Sequence, residues 1–407
     1  MLGINLISWR SPKAKMWLAG RKVIFIKLQN WKNSLAPEDK IIWMHCASLG
    51  EFEQGRPIIE ALKKGYPNFK ILLTFFSPSG YEIRKNYNQA DGVFYLPMDS
   101  KKNANNFIDI IKPNFVIWVK YEYWYHYLIT LKTKSIPLFL VSAKFRKSQP
   151  FFKSYGGLWL KIIHSFSHIF LQNNEDSKDL LASIDVHNVS LAGDTRFDRV
   201  VEIANQENKL PQEIIDFCTN EKIIVAGSTW EEDEELLVHY ANVHPHIKFI
   251  IAPHDIDKER INEVKKVFKN ALTFSQLLKG EKANQILIID NIGMLAQLYK
   301  LANITYIGGG FNDSGIHNIL EAAVYGKPIV FGPTYEKFAE AIALVDRGGA
   351  FSVDNALALE ALLDMLIGDN ELLKSTSLTS KNYVMEMHGA TKIIVKYLYE
   401  NRLITKA

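Results

Sequence analysis

Along the chain, short runs of β-branched and aromatic side chains alternate with stretches whose apolar positions recur at helical spacing. Seven runs read as a first set of strands, at 41–47, 71–75, 93–96, 115–119, 138–142, 168–172 and 189–192. A polar, helix-like stretch follows at about 200–220, and then a second set at 222–226, 248–252, 286–289, 304–308, 328–331 and 350–353. Strand and helix in regular alternation predict parallel sheets flanked by helices. Two such sets predict an α/β protein of two Rossmann-like, doubly wound domains with an interdomain cleft, where ligands lie beyond the carboxyl ends of the strands.

The length of 407 residues fits that division, since single cores rarely exceed about 250–300 residues. The expected boundaries are a basic, aromatic segment at 1–37, a first domain at 38–200, a linker at 201–220, a second domain at 221–380 and a C-terminal helix at 381–407 that crosses back to the first domain. No short-period repeat or low-complexity tract competes with this layout.

Composition changes the picture little. Apolar residues at 47% and charged residues at 23% are ordinary for a globular protein. The net charge of +4 falls far short of the Lys/Arg stripes of a nucleic-acid binder, so no nucleic acid is expected as a partner. Cys46 and Cys218 stand far apart, which argues against a zinc site or a disulfide scaffold and for a reducing compartment. Neither a membrane-spanning run nor a signal peptide is visible, and export is not expected. The first 36 residues carry Arg10, Lys13, Lys15, Arg21, Lys22, Lys27 and Lys32, no acid, and Trp9, Trp17, Phe25 and Trp31 among them. Such a mixture suits an anionic membrane surface; it equally suits helices that pack their aromatics inward and keep a solvated basic face.

The densest chemical signal runs from Ile304 to Glu321. A buried strand ends in Gly308, Gly309 and Gly310, loops, and is read as opening a helix near His317. Glycines allow close backbone approach, and the N–H groups of a helix start favour an anion such as a phosphate. Asn318 offers donor and acceptor, and Glu321, one turn on, can accept a pair of sugar hydroxyls, a spacing that suits a nucleotide ribose. A plain strand-to-helix turn would read the same way. The run Gly326-Lys-Pro-Ile-Val-Phe-Gly-Pro333 adds a second close-approach loop beside it.

Other residues carry two readings each. Glu51 falls in the first turn of the helix after the first strand, where it either serves as a general base or simply complements the helix dipole. Glu122, at the end of the fourth strand, can orient sugar hydroxyls or anchor a turn. Ser228 and Thr229, ahead of the acidic run 231–235, look like a helix cap that could also touch a nucleotide. Lys144, Arg146 and Lys147 place three cations after the fifth strand, suited to a phosphorylated lipid or to a solvated loop.

Taken in order, Ser48-Leu-Gly-Glu51, Glu122-Tyr-Trp124, Gly193-Asp-Thr-Arg-Phe-Asp198, Gly227-Ser-Thr229 and the run from Gly308 to Pro333 resemble the signature of the bacterial 3-deoxy-D-manno-octulosonic acid (Kdo) transferases, which act on lipid A precursors. The five motifs span almost the whole chain. The resemblance implies a GT-B glycosyltransferase with CMP-Kdo as donor, a lipid A precursor (lipid IVA) as acceptor, inversion in a single displacement, no metal and no other cofactor. It also implies a peripheral position on the cytoplasmic face of the inner membrane, in lipopolysaccharide biosynthesis. On this reading Glu51 is the catalytic base. Ser228, Thr229, Pro253, His254, Gly309, Gly310, His317, Asn318 and Glu321 hold the donor, and Ser48, Gly50, Glu122, Lys144 and Arg146 hold acceptor or sugar. Two positions depart from the pattern. Lys120 stands where an acid is usual, and at Pro253-His254, where the family commonly has Pro-Arg-His, no arginine intervenes, with Arg260 as a weaker substitute. A UDP-sugar transferase of the same fold, or an inactive nucleotide-sugar-binding protein, stays open as an alternative.

Overall fold

The computed structural model describes residues 12–172, 175–206 and 210–405. Trp9 and Arg10 of the basic segment lie outside them, as does the side chain of Lys13. The chain divides into two compact units, one formed by 1–199 with 388–407 and the other by 200–387.

In the first unit the strands are β1 (Lys40–Cys46), β2 (Phe69–Phe75), β3 (Gly92–Tyr95), β4 (Phe115–Val119), β5 (Leu138–Ala143), β6 (His168–Leu171) and β7 (Val189–Leu191). They form one sheet in the order β3-β2-β1-β4-β5-β6-β7, and every pairing is parallel. Buried residues at almost every position of β1, β4 and β5 follow from helices covering both faces. One face packs Trp43, Phe107, Trp118 and Tyr127, the other Met44, Phe52, Phe75 and Phe139.

The second unit has β8 (Lys222–Thr229), β9 (Ile247–Pro253), β10 (Leu272–Thr273), β11 (Ile286–Ile288), β12 (Ile304–Ile307), β13 (Ile329–Phe331) and β14 (Ala350–Ser352), in the order β10-β11-β9-β8-β12-β13-β14 and again all parallel. Two doubly wound α/β sheets are thus present. β10 escapes the sequence pattern because two residues cannot show a period.

The order of strands reverses between β1 and β4 in the first sheet and between β8 and β12 in the second. Ligands of open α/β sheets bind at the carboxyl ends of such neighbours, where the outgoing loops diverge. Glu51 and Glu122 follow β1 and β4; Ser228 and the glycine turn at Gly308 belong to β8 and β12.

The C-terminal helical reading needs correction. The segment read as one helix at 381–407 instead holds the end of the helix Asn370–Met387 and the separate helix Ala390–Glu400, broken where Gly389 adopts a φ of 119°. The Asp198 carboxylate then caps the second of them, accepting the N–H groups of Gly389 (2.5 Å) and Thr391 (2.7 Å). Ile394 and Leu398 of this last helix pack into the core beside Phe52 and Leu62 of the helix Leu49–Gly65.

Candidate active site

At the carboxyl end of β1, extended Ser48 precedes the helix Leu49–Gly65, and Glu51 is its third residue. Glu51 Oε2 accepts the Ser48 N–H at 3.0 Å and also the Ser48 hydroxyl, the reciprocal capping arrangement that satisfies donors at a helix start. Both bonds fall on one oxygen, leaving Oε1 for another partner. Gly50 is exposed, and a Cβ there would stand 3.8 Å from Ser48 Oγ, so space does not dictate the glycine.

Beyond β4 the chain turns through Lys120, whose φ of 58° is left-handed, and the Trp118 indole N–H donates to the Glu122 carbonyl. The Glu122 carboxyl is half-buried, and burial, followed by the charge of Glu51, holds its pKa above the usual carboxylate range. Two carboxyl groups therefore share one field. Tyr121 stands in the fields of Arg146, Asp194, Arg196 and Glu51. Asp194 binds Arg196 (2.8 Å) and accepts from Gln172 (3.0 Å), while Thr195 donates to the Gln54 carbonyl (2.5 Å). The loop after β7 is in this way tied to the helix that carries Glu51. Half-buried Lys144 and exposed Arg146 line a cavity of about 670 Å³ with Lys147, Asp176 and Asp179, so these cations have acidic neighbours.

In the second unit β8 continues through Thr229, and the residue that caps the helix Glu231–Val243 is Trp230. Ser228 and Thr229 are therefore not the cap. Ser228 takes a φ of 54°, and buried Thr229 donates to Glu234 Oε1 at 2.8 Å. Glu234, fully buried, pairs with Arg260 at 2.6 Å. That pairing counts against Arg260 as a stand-in for the arginine missing between Pro253 and His254: its charge is already matched by a carboxylate.

The glycine turn is shaped by contacts distant in sequence. Asp233 accepts the N–H groups of Trp230 and Gly309, each at 2.9 Å, and the Tyr306 hydroxyl at 2.8 Å. Burial raises its pKa and these three donors oppose the rise. The Gly309 N–H is consequently occupied within the protein. A Cβ on Gly308 would meet the Ser228 carbonyl oxygen at 2.2 Å, and one on Gly310 the Gly332 nitrogen at 2.5 Å, so both glycines are needed for backbone to pass backbone.

No helix opens at His317. Its N–H donates to the Gly308 carbonyl (3.1 Å), and the helix that follows is the single turn Leu320–Ala323. Asn318 accepts from the Leu320 N–H (3.2 Å) and donates to Glu321 (3.1 Å), which holds the pair as one unit at the helix start. Trp230, His254 and His317 form a stack: the His254 ring lies 4.6 Å from each of the other two, and the Trp230 indole N–H donates to His317 Nε2 at 3.4 Å. Burial and the nearby His254 lower the His317 pKa to about 4, so the ring is neutral near pH 7. With Nε2 accepting, its proton sits on Nδ1. Pro253, which ends β9, is buried beneath the exposed His254.

A family model described as 3-deoxy-D-manno-octulosonic-acid transferase (kdotransferase) matches residues 22–199. The chain is 27% identical over 350 residues to the 3-deoxy-D-manno-octulosonic acid transferase of Aquifex aeolicus, an alignment covering 84% of this chain and 90% of that one. To the enzyme of the same description from Haemophilus influenzae it is 25% identical over 414 residues, with 97% and 93% covered. Over most of its length the chain is similar to Kdo transferases, and residues 22–199 match their family model. It is a glycosyltransferase of lipopolysaccharide biosynthesis. The UDP-GlcNAc 2-epimerase from Neisseria meningitidis bound to UDP-GlcNAc, with a TM-score of 0.60 at 18% identity over 89% of this chain and all of that one, has the same two-domain fold. This GT-B frame is shared more widely than the chemistry. Among the residues that the sequence did not single out, Asp233 and Trp230 do most to shape the glycine turn. The acidic run at 231–235 was the available signal, but it does not reveal a partner 76 residues away.

Proposed function

We propose that the protein transfers Kdo from CMP-Kdo to a lipid A precursor, lipid IVA, by one inverting displacement that requires no metal. The observation that carries this reading is Glu51, a carboxylate at the switch point of the first sheet with one oxygen anchored on Ser48 and the other open. An open carboxylate oxygen can take the proton of an acceptor hydroxyl while that hydroxyl's oxygen attacks the anomeric carbon and the bond to the phosphate of CMP breaks. Glu122, its pKa raised by burial and by the charge of Glu51, suits a hydrogen bond to a sugar hydroxyl.

On the donor side, neutral His317 offers Nδ1–H and His254 offers its exposed ring, both suited to the leaving phosphate. The linked Asn318 and Glu321 suit the ribose, and Ser228 and Pro253 border the same strand ends. Lys144 and Arg146 suit the phosphates of the acceptor. Work at the cytoplasmic membrane face is supported by the helices Pro12–Ala19 and Ile24–Asn33 and the turn between them, where Met16, Val23 and Ile26 are exposed beside Lys22 and Lys27. Among the described residues no helix is long and apolar enough to cross a membrane.

Incubation with CMP-Kdo and a tetra-acylated lipid A precursor, followed by mass spectrometry, should show mass increments of Kdo on the lipid. Calorimetric binding of UDP in preference to CMP would overturn the assignment.

A further inference from the structure

Between Glu122 and Glu175 the sequence contains no Asp or Glu, yet it carries Lys132, Lys134, Lys144, Arg146, Lys147, Lys153 and Lys161. Lys134 is paired with Asp109 and Lys132 donates to the His164 carbonyl, which leaves the other five around one projecting segment, 144–161. That segment is built to be rigid. Phe151 is buried against Tyr123 (4.9 Å), Phe145 (5.8 Å) and Trp159 (5.8 Å). Gly156 closes the turn so tightly that a Cβ there would meet the Pro150 carbonyl oxygen at 2.3 Å.

On this base two large apolar side chains point outward. Tyr155 is 72% exposed and Leu158 is 52% exposed. Leu158 and Lys161, one helical turn apart on Gly157–Ile163, share the exposed face, while Ile162 and Ile163 are buried on the other. Lys153 is exposed two residues before Tyr155. An apolar tip flanked by exposed Lys153 and Lys161, in a stretch of sequence without an acid, is complementary to a surface that is anionic and has an apolar interior.

The position fits as well. Phe76 joins Trp17 of the N-terminal helix (5.6 Å) to Trp124 (4.4 Å), and the adjoining Tyr123 joins Phe151. An aromatic row therefore runs along the carboxyl edge of the first sheet, from the basic N-terminal helices to the projecting segment, past the loop that bears Glu122.

We propose that the segment 150–161 is a second lipid-contact site, with Tyr155 and Leu158 entering the headgroup region of an anionic bilayer and Lys153 and Lys161 binding its phosphates. The proposal rests on the lipid-acceptor reading for its purpose but not for its evidence, and it can be tested without substrate. The full chain should partition onto phosphatidylglycerol–phosphatidylcholine vesicles. The double substitution Tyr155→Ser with Leu158→Ser, and separately Lys153→Glu with Lys161→Glu, should each lower that partition at least tenfold at low salt, with the charge pair losing its effect in 0.5 M salt. A fluorophore on Tyr155→Cys in a Cys218→Ser background should be quenched by brominated lipid. Unchanged partition in both double variants, or an unquenched fluorophore on bound protein, would overturn the proposal, as would loss of self-association in place of loss of vesicle binding. Kdo transfer to detergent-dispersed acceptor, measured on the same variants, should stay within twofold of the parent; its absence from the parent itself would sink the enzymatic reading while leaving the lipid site standing.

Discussion

Asp233 accepts the Gly309 N–H at 2.9 Å across 76 residues of sequence, and with the same oxygen it accepts the Trp230 N–H. One buried carboxylate thereby fixes both the start of a helix and the glycine turn. Asp233→Ala would strand two backbone donors and the Tyr306 hydroxyl, each costing about 1–3 kcal/mol when buried without a partner. A loss of at least about 3 kcal/mol in urea unfolding is expected. Asp233→Asn should be far milder, within about 1 kcal/mol, because its carbonyl can replace the shared oxygen and its amide can donate to the tyrosine oxygen. Equal losses in the two variants would contradict the hydrogen-bond account.

Glu51→Gln keeps the shape and an acceptor for the Ser48 N–H but removes the base. Transfer should fall about 10²–10⁴-fold while CMP binding by calorimetry changes little. Ser48→Ala, which disturbs only the cap, should cost about 1 kcal/mol of stability and a far smaller share of the rate. Retained turnover in Glu51→Gln would mean that another group takes the proton.

His45 makes a different, pH-dependent prediction. It is fully buried at the end of β1, bonded to the Thr74 hydroxyl at 2.9 Å, and burial lowers its pKa to about 3. The unfolded chain takes up this proton near pH 6.5 and the folded protein does not. Stability contributed by the neutral ring is therefore complete above about 6.5 and is lost as the pH falls from there toward 3. Between pH 6.5 and 5 the loss from this one group should be about 2 kcal/mol. Urea midpoints for the parent and for His45→Asn should converge as the pH is lowered over that range; a constant gap would contradict the assignment.

Arg21 anchors the N-terminal helices without a carboxylate. Its guanidinium donates to the carbonyls of Leu96 (2.9 Å), Trp17 (3.0 Å) and Phe76 (2.7 Å) and lies 4.0 Å from the Trp17 ring and 4.7 Å from that of Tyr95. A planar fork is required for this, so Arg21→Lys should behave more like Arg21→Ala than like the parent. Hydrogen exchange in 15–33 should quicken in both variants while the strands of the first sheet stay protected. Unaltered exchange would show that the helices are held chiefly by Ile24 and Leu28 in the core.

The apolar runs of the strands were legible because a parallel sheet buried on both faces demands them at successive positions, as in Phe115–Val119. The outer strand β10 was not, being too short to show a pattern. After Gly310 the sequence reads as the opening of a helix, and nothing local announces that the His317 N–H returns to Gly308. Ser228 and Thr229 look like caps because they precede an acidic run, but a left-handed residue inside the strand end is set by the path of the backbone past Gly308. Arg260 was a reasonable substitute cation until its partner Glu234, fully buried, was known. The pairs that matter most here join residues distant along the chain, and propensity is blind to them.

The bonds from Asp198 to Gly389 and Thr391 bring together the place where the chain departs from the first unit and the place where it returns. In architectural terms, 200–387 is an insertion into an otherwise continuous domain whose final helix is supplied last. A gene cut at residue 199 would make a domain with part of its core bare. Splicing Arg199 to His388 through a short linker should instead yield a self-contained single-sheet protein that carries Glu51 and Glu122 and lacks the glycine turn.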